Sequence, residues 1–402
     1  MPKQSTGKEK TPPAGIYLHI PFCQAKCPYC DFLSTIDLKL LPDFLAGLVR
    51  EVHLRATDTL RFDSLCFDSI YFGGGTPSLL AGGAVADLLA LLREHFTILP
   101  DTEITLEGNP ESLDLARLAA YREAGVNRLS IGVQSFQSHN LRFLGRGHTA
   151  SQSRAAVRDA RAAGFTNIGL DLICGLPGQT KGDWQRDLEA AVAAEPEHLS
   201  CYLLTFEPGT RFGIRRRRGT LKPLADEVQA DLMMHTHRFL HAKGYAAYEI
   251  SNFARRTPPG GPDLRSRHNR KYWMHTPYLG LGPAAHSFLP PVRSWNEKGL
   301  HRYLDRLAAG ALPLADDERL TPQQERTEAV YLGLRQTRGL DTREFRQRFG
   351  VDFADLFQNQ LDALMEGGLL EWAPPCYRLT DKGVPLADGV VAHLLKAIRG
   401  RC

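Results

Sequence analysis

Ile16-Tyr-Leu-His-Ile20-Pro-Phe-Cys23-Gln-Ala-Lys-Cys27-Pro-Tyr-Cys30 changes character part-way along. Its first five residues are largely aliphatic or aromatic and suit a strand; the rest holds two prolines and three cysteines and suits a loop. The same change recurs downstream. Apolar runs at residues 69–72, 103–106, 128–133, 167–173 and 198–204 end in glycine, proline or polar residues. Amphipathic helical stretches lie between them, at 41–54, 83–94, 113–124, 150–163, 181–194 and 225–242. Strand then helix, repeated six times, predicts an α/β fold with a parallel sheet and right-handed crossovers. Polar residues directly after successive strands predict one shared pocket at their C-terminal ends, as in parallel barrels. The expected architecture is a partial (β/α)6 barrel over residues 15–244.

The pattern shifts after residue 244. Residues 245–299 read as a connecting segment: strand-like at 245–255, a Pro/Gly-rich loop at 256–267, then a stretch rich in aromatics and histidine. Residues 300–402 predict a mainly helical, winged-helix-like domain. Its helices fall at 301–309, 322–335, 341–349 and 352–366, before a hairpin at 369–379 broken by Pro374-Pro375, and a last helix. Residues 1–14 read as a disordered tail, with lysines but neither the apolar core of a secretory signal nor the arginines of a transit peptide. No apolar run approaches the roughly 20 residues of a membrane span. The expected location is cytoplasmic, with a peripheral contact at the inner membrane as a further possibility. A formal net charge of +4 without interleaved basic and aromatic residues argues against nucleic acid as a partner. Of eight cysteines, three fall within eight positions and the others scatter, which reads as a metal site plus inert thiols.

Cys23, Cys27 and Cys30 supply three thiolates, the ligand type of iron–sulfur clusters, where a [4Fe–4S] cluster normally takes four. One iron is then left for an outside ligand, and the amino and carboxylate groups of S-adenosylmethionine suit it. Zinc is the rival metal and needs a fourth ligand, from His19 or Asp31. Gly73-Gly-Gly-Thr-Pro-Ser78 follows the second strand; its glycines let backbone polar groups approach a small zwitterion closely, although most glycine turns are only turns. Glu107, Gln134 and Asp171 end or follow successive strands. Carboxylates there suit an ammonium group and ribose hydroxyls, and Arg146 suits a carboxylate. Singly, each is as readily a surface residue or helix cap.

The Cys-x3-Cys-x2-Cys spacing resembles that of the radical S-adenosylmethionine superfamily. More narrowly, Tyr17-Leu-His-Ile-Pro-Phe-Cys23, the glycine motif, Asn127-Arg-Leu-Ser-Ile-Gly-Val-Gln-Ser-Phe136 and Asp171-Leu-Ile-Cys-Gly-Leu-Pro177 resemble the family that holds oxygen-independent coproporphyrinogen III dehydrogenase and the heme chaperones. The resemblance runs from residue 15 to about 396. It implies a cluster on Cys23, Cys27 and Cys30. It also implies S-adenosylmethionine contacts at Tyr17, Tyr29, Gly74, Gly75, Thr76, Glu107, Gln134, Arg146 and Asp171. Tyr29 stands where the family has an aromatic, often Phe.

Two features separate the branches. The dehydrogenase has a further cysteine two positions after the third ligand, where this chain has Phe32. His268-Asn-Arg-Lys-Tyr-Trp273, preceded by Tyr248-Glu-Ile-Ser-Asn-Phe-Ala254, resembles the chaperones' signature. The implied function is binding heme and delivering it to membrane respiratory enzymes. The rival is the enzyme that converts coproporphyrinogen propionates to vinyl groups through a 5′-deoxyadenosyl radical. His268 is the implied heme contact, since histidine is a common axial ligand, with Tyr272 and Trp273 as flat apolar area; a packed core histidine is the ordinary alternative. His275 and His286 lie nearby, and Cys376 is remote. Arg215, Arg216, Arg217 and Arg218 read as a solvated turn, with anionic lipid or heme propionates as the sharper partner.

Overall fold

The computed structural model describes residues 12–58 and 62–399. Most of the tail expected at 1–14 falls outside the described residues, and Ala14 already opens the first strand. Six strands pair in parallel and in chain order: β1 (Ala14–Ile20), β2 (Cys66–Gly74), β3 (Thr97–Gly108), β4 (Arg128–Gln134), β5 (Ile168–Cys174) and β6 (His198–Leu203). An order without reversal is that of a barrel, not of a doubly wound sheet, whose order reverses at a switch point. The crossovers carry α1 (Leu41–Ala56), α2 (Gly82–His95), α3 (Leu115–Ala124), α4 (Ser138–Phe143), α5 (Ala150–Ala162) and α6 (Lys181–Ala193). After β6 come α7 (Arg211–Arg217) and α8 (Asp226–Ala242).

Side chains alternate between the two faces of each strand. Ile16, Leu18, Ile70, Phe72, Leu106, Leu129, Ile131, Leu170 and Leu199 belong to one buried apolar core with Leu48, Leu88, Leu118 and Leu188 of the helices. The alternate positions are mostly polar: Tyr17 and His19, Tyr71, Glu107, Arg128 and Ser130, Asp171, Ser200. Register sets them side by side, with Tyr17 opposite Tyr71, Thr105 opposite Arg128, Glu107 opposite Ser130, and Asp171 opposite Ser200. The period-two pattern therefore builds a dry layer under the helices and a polar concave face.

The sheet does not stop at six strands. Beyond β6 it gains a hairpin, β7 (Tyr245–Ala247) and β8 (Asn252–Arg255), with β8 antiparallel to β6. Beyond β1 it gains β9 (Tyr278–Leu281), parallel to β1, then β10 (His286–Leu289), β11 (Val292–Asn296) and β12 (Leu314–Arg319). The result is an open sheet of 12 strands with β12 and β7 at its edges. The connecting segment expected at 245–299 is thus largely part of the sheet, and it also holds α9 (Arg267–Trp273).

After α10 (Leu300–Ala308), the C-terminal unit runs through α11 (Pro322–Arg335), β13 (Leu340–Asp341), α12 (Thr342–Phe349), α13 (Phe353–Glu366), β14 (Leu370–Ala373), β15 (Cys376–Leu379) and α14 (Ala387–Arg399). Thr321 caps α11 in a reciprocal box with Gln324, with Pro322 inside the first turn. Val330, Leu334, Phe345, Phe353, Phe357, Leu361 and Leu394 form a core of its own.

Candidate functional site

The cysteine loop leaves β1 and is closed at its base by backbone bonds from Thr35 to the Pro21 carbonyl (2.6 Å) and from Cys23 to the Thr35 carbonyl (2.9 Å). The glycine turn after β2 docks against it. Gly75 N–H donates to the Ile20 carbonyl (2.8 Å) and Thr76 N–H to the Phe22 carbonyl (2.7 Å). A Cβ on Gly75 would stand 2.6 Å from the Phe22 carbonyl oxygen, and Gly74 has φ +109°. The glycines therefore let two loops touch through their backbones. On the other side, Phe212 N–H of α7 donates to the Pro28 carbonyl (2.9 Å), and Arg211 donates to the Lys26 carbonyl (2.6 Å).

The three thiols are half-buried. Thr76 Oγ1 donates to Cys23 Sγ at 3.5 Å, and Arg146 Nη1 to Cys27 Sγ at 3.5 Å. Burial pushes the Cys30 thiol up. Among the described residues, no three His, Cys, Asp or Glu side chains gather as ligands of one metal ion. A cubane takes each cysteine on a separate iron, and the hydroxyl and guanidinium donors beside Cys23 and Cys27 suit its sulfur ligands.

Above the C-terminal ends of the parallel strands lies a cavity of 530 Å³. Tyr29, Gly74, Gly75, Thr76, Glu107, Gln134, Arg146 and Asp171 all line it, as does Cys30. Tyr17 does not. Its hydroxyl shares a hydrogen bond with His19 Nδ1 (3.0 Å), and its ring stacks with Tyr71 and His268. Glu107 accepts from Tyr71 OH (2.7 Å) and from Gly74 N–H (3.2 Å). Burial raises its carboxyl to about 7 against the pull of the Tyr71 bond, and Asp171 adds repulsion. Asp171 is also raised by burial, which bonds from Ser200 and Ser130 (2.9 Å) oppose. Arg146 donates to the Gly132 carbonyl (3.0 Å) and to Asn109. Gln134 sits at φ +64°, a left-handed conformation costly for a residue with a Cβ.

Sequence reading missed Tyr71, Asn109, Arg128 and Asn269, which share this lining. The signal was the strand period: Tyr71 and Arg128 occupy the same face as Glu107 and Asp171. Four carboxylates line the cavity (Asp31, Glu107, Asp171, Glu207) against two arginines (Arg128, Arg146). The Nε atoms of both arginines are buried without a protein partner. The space favours a small ligand with cationic groups and some capacity to accept from guanidinium.

His268 departs from expectation. It is 1% exposed at the start of α9. Its Nδ1 shares a hydrogen bond with Ser69 Oγ (3.1 Å) and its Nε2 with Tyr272 OH (2.9 Å). Tyr71 stacks on the ring at 5.1 Å. Both nitrogens are engaged, so the ring offers no lone pair to an incoming iron in this conformation. Burial, with Lys271 and Arg128 nearby, lowers its basicity to about 3. α9 turns Asn269 toward the barrel cavity, while Trp273 and the following Met274 line a different one. His286 is exposed and stacks on Trp295. Cys376 is buried in the C-terminal hairpin. The arginine run is not a loop: Arg215, Arg216 and Arg217 form the last turn of α7 and Arg218 caps it, with Thr210 as the N-cap.

Residues 17–191 match the radical SAM superfamily, and residues 320–386 match the HemN C-terminal domain. Over 387 residues the chain is 39% identical to the heme chaperone HemW of Mycobacterium tuberculosis, covering 95% of each chain. The chain belongs to the HemW family. Identity to the heme chaperone HemW of Bacillus subtilis is 33% over 381 residues, 94% of this chain and 98% of that one. Among solved structures, the coproporphyrinogen III oxidase HemN of Escherichia coli, a radical SAM enzyme, matches with a TM-score of 0.80. It is 27% identical over 95% of this chain and 90% of that chain. The HemW family thus has the radical SAM fold with a HemN-type C-terminal domain, and radical SAM membership implies a [4Fe–4S] cluster and S-adenosylmethionine. No described helix of this HemW-family chain is long and apolar enough to cross a membrane.

Proposed function

We propose that the protein is a heme chaperone: it binds heme, keeps a [4Fe–4S] cluster and S-adenosylmethionine in the barrel, and passes heme to membrane respiratory proteins. Relatives that carry the heme chaperone name, matched over 95% of each chain, carry this reading. The barrel cavity, lined by four carboxylates and two arginines, suits the sulfonium and ammonium of S-adenosylmethionine. The fold likeness to HemN supports the rival, a coproporphyrinogen III dehydrogenase, but Phe32, 65% exposed at the cavity, stands in place of that branch's extra cysteine.

Cys23, Cys27 and Cys30 would hold the cluster. When bound, it supplies an iron that chelates S-adenosylmethionine and, once reduced, one electron for cleaving it. The chain's own residues tune this site. Arg146 donates to the Cys27 sulfur and is itself fixed by Asn109 and Gly132. Thr76 stabilises Cys23 by donating to its sulfur. Burial raises both Glu107 and Asp171, and Tyr71 and Ser130 fix their orientation toward the cavity. The exposed arginines of α7 fit an anionic membrane surface near the recipient.

Two measurements test the proposal. Heme added to the reconstituted protein gives a Soret band. Anaerobic incubation with coproporphyrinogen III, S-adenosylmethionine and a reductant yields no protoporphyrinogen IX. Turnover in that assay would replace the chaperone reading with the enzyme.

A further inference from the structure

The molecule holds a second and larger cavity, of 940 Å³, between the barrel sheet and the C-terminal unit. The β7–β8 hairpin and the loop after it form one wall, α11 and α12 the other, and the end of α9 the floor. Its charge is the reverse of the barrel cavity's. Six arginines line it (Arg255, Arg256, Arg265, Arg270, Arg338, Arg348) against three carboxylates, Asp263, Asp341 and Glu344. Arg265 and Arg270 share the single carboxylate of Asp263, and among the described residues Arg256 has no ion pair. Leu264, Leu332, Phe345 and Phe349 supply apolar surface between these charges.

α9 delivers two uncommitted groups to this cleft. Trp273 packs under the Arg335 guanidinium at 4.6 Å, and its buried indole Nε1 has no hydrogen-bond partner. Buried indole N–H groups are normally satisfied, so this one is short of an acceptor. Met274 is 52% exposed, and its sulfur accepts from Arg270 at 3.8 Å. The neighbouring histidines are committed. His275 is held by Glu328 (2.8 Å) and Arg348 (2.7 Å), and His268 is sealed by Ser69 and Tyr272.

We propose that this basic cleft, and not the barrel cavity, is the heme seat, with Met274 Sδ ligating the iron, Trp273 against the macrocycle and the loop arginines pairing with the two propionates. The proposal rests on the heme-chaperone reading and adds where the cargo sits and what holds it. A planar apolar ring with two carboxylates at one edge matches a cleft that is apolar within and arginine-rich at its rim. A thioether is an established axial ligand to heme iron. Ligation adds one iron–sulfur coordinate bond and moves no electrons or protons.

The test is anaerobic titration of the full-length protein with ferrous heme, read by the Soret band and by affinity. Met274→Ala should shift the Soret maximum and weaken binding at least about tenfold, a lower bound for disturbing the shell of a metal ligand. Met274 is half-exposed, so the variant keeps its fold, which circular dichroism checks. Arg256→Ala with Arg265→Ala should weaken binding and flatten its dependence on salt. His268→Gln should leave the Soret maximum in place. Wild-type heme binding with an unaltered spectrum and affinity in Met274→Ala overturns the cleft and leaves the chaperone reading standing. A wild type that binds no heme overturns both.

Discussion

Glu107 shows how single residues set the chemistry of the barrel cavity. Its raised carboxyl means that the folded chain holds a proton which the unfolded chain has already released, between the ordinary carboxylate range and about 7. Folding stability from this residue therefore falls as pH rises through that window. Ligand binding runs the other way, because a cation prefers the ionised form. S-adenosylmethionine affinity, measured by calorimetry on the reconstituted protein, should rise as pH rises through about 7. Glu107→Gln should flatten that dependence and cost about tenfold in affinity, as for loss of a charged hydrogen-bond partner; a flat profile in the wild type removes Glu107 from the site. His268 has the opposite sign. Its lowered basicity favours the neutral ring in the fold, so stability is lost as pH falls from about 6.5 toward 3. His268→Gln should narrow the gap between denaturant midpoints at about pH 5.5 and pH 7.5, roughly one unit either side of an ordinary histidine. Glu107 and Asp171 were legible in the sequence because they lie at or near strand ends. Arg128 was not: a charge opening an apolar run looks like an edge residue, and only its register against Thr105 shows that it points inward.

At the scale of elements, packing decides what pattern alone left open. Trp184 of α6 is fully buried and donates from Nε1 to Thr236 Oγ1 of α8 at 2.7 Å. Trp184→Ala should cost about 3–5 kcal/mol in denaturant unfolding, whereas Trp184→Phe keeps most of the packing and loses only the bond. Gly75→Ala is a sharper local test. The added methyl would collide with the Phe22 carbonyl and push the glycine turn off the cysteine loop. Iron per chain after reconstitution should drop while circular dichroism is unchanged; full iron loading would show that the docking of the two loops is dispensable. The six long strands and their helices were legible because each repeats its period several times. β7 and β8 fall in the stretch read as strand-like, whereas β9 to β11, of four or five residues, are too short for alternation to register, and β12 is mostly charged. α7 was missed for another reason: consecutive arginines suggest a solvated loop, while the Thr210 cap and the buried Phe212 that make it a helix lie just ahead of the run.

At the scale of the whole molecule, a polar seam joins the barrel's apolar core to that of the C-terminal unit, and a third, smaller cluster lies around Phe212. One apolar cluster spans the barrel and another is confined to α11–α14 and their small sheet. Between them run Arg335 to Glu249 (2.9 Å), Glu328 to both His275 and Arg293, and Gln336 to the Trp273 carbonyl (3.1 Å). Polar seams of this kind open more readily than apolar ones. Hydrogen exchange should show the amides of α11–α14 opening at lower free energy than those of β1–β6; equal protection throughout would mean one cooperative unit. The change of period after residue 244 does not mark this seam: β7 to β12 continue the barrel sheet, α10 packs in its core, and the second core begins in α11. The basic cleft was not legible in the sequence, because its walls come from stretches some 80 positions apart, which no local pattern connects. α9 belongs to both halves of this picture. Seven residues rise only about 10 Å, and within them Asn269 faces one chamber while Trp273 faces the other. One short helix thus contributes to the walls of both chambers. Any factor by which an occupant of the first alters affinity in the second must be returned in full when the order of loading is reversed. Under the proposed chaperone reading, loading of the barrel site and loading of the cleft are then tied to each other in both directions.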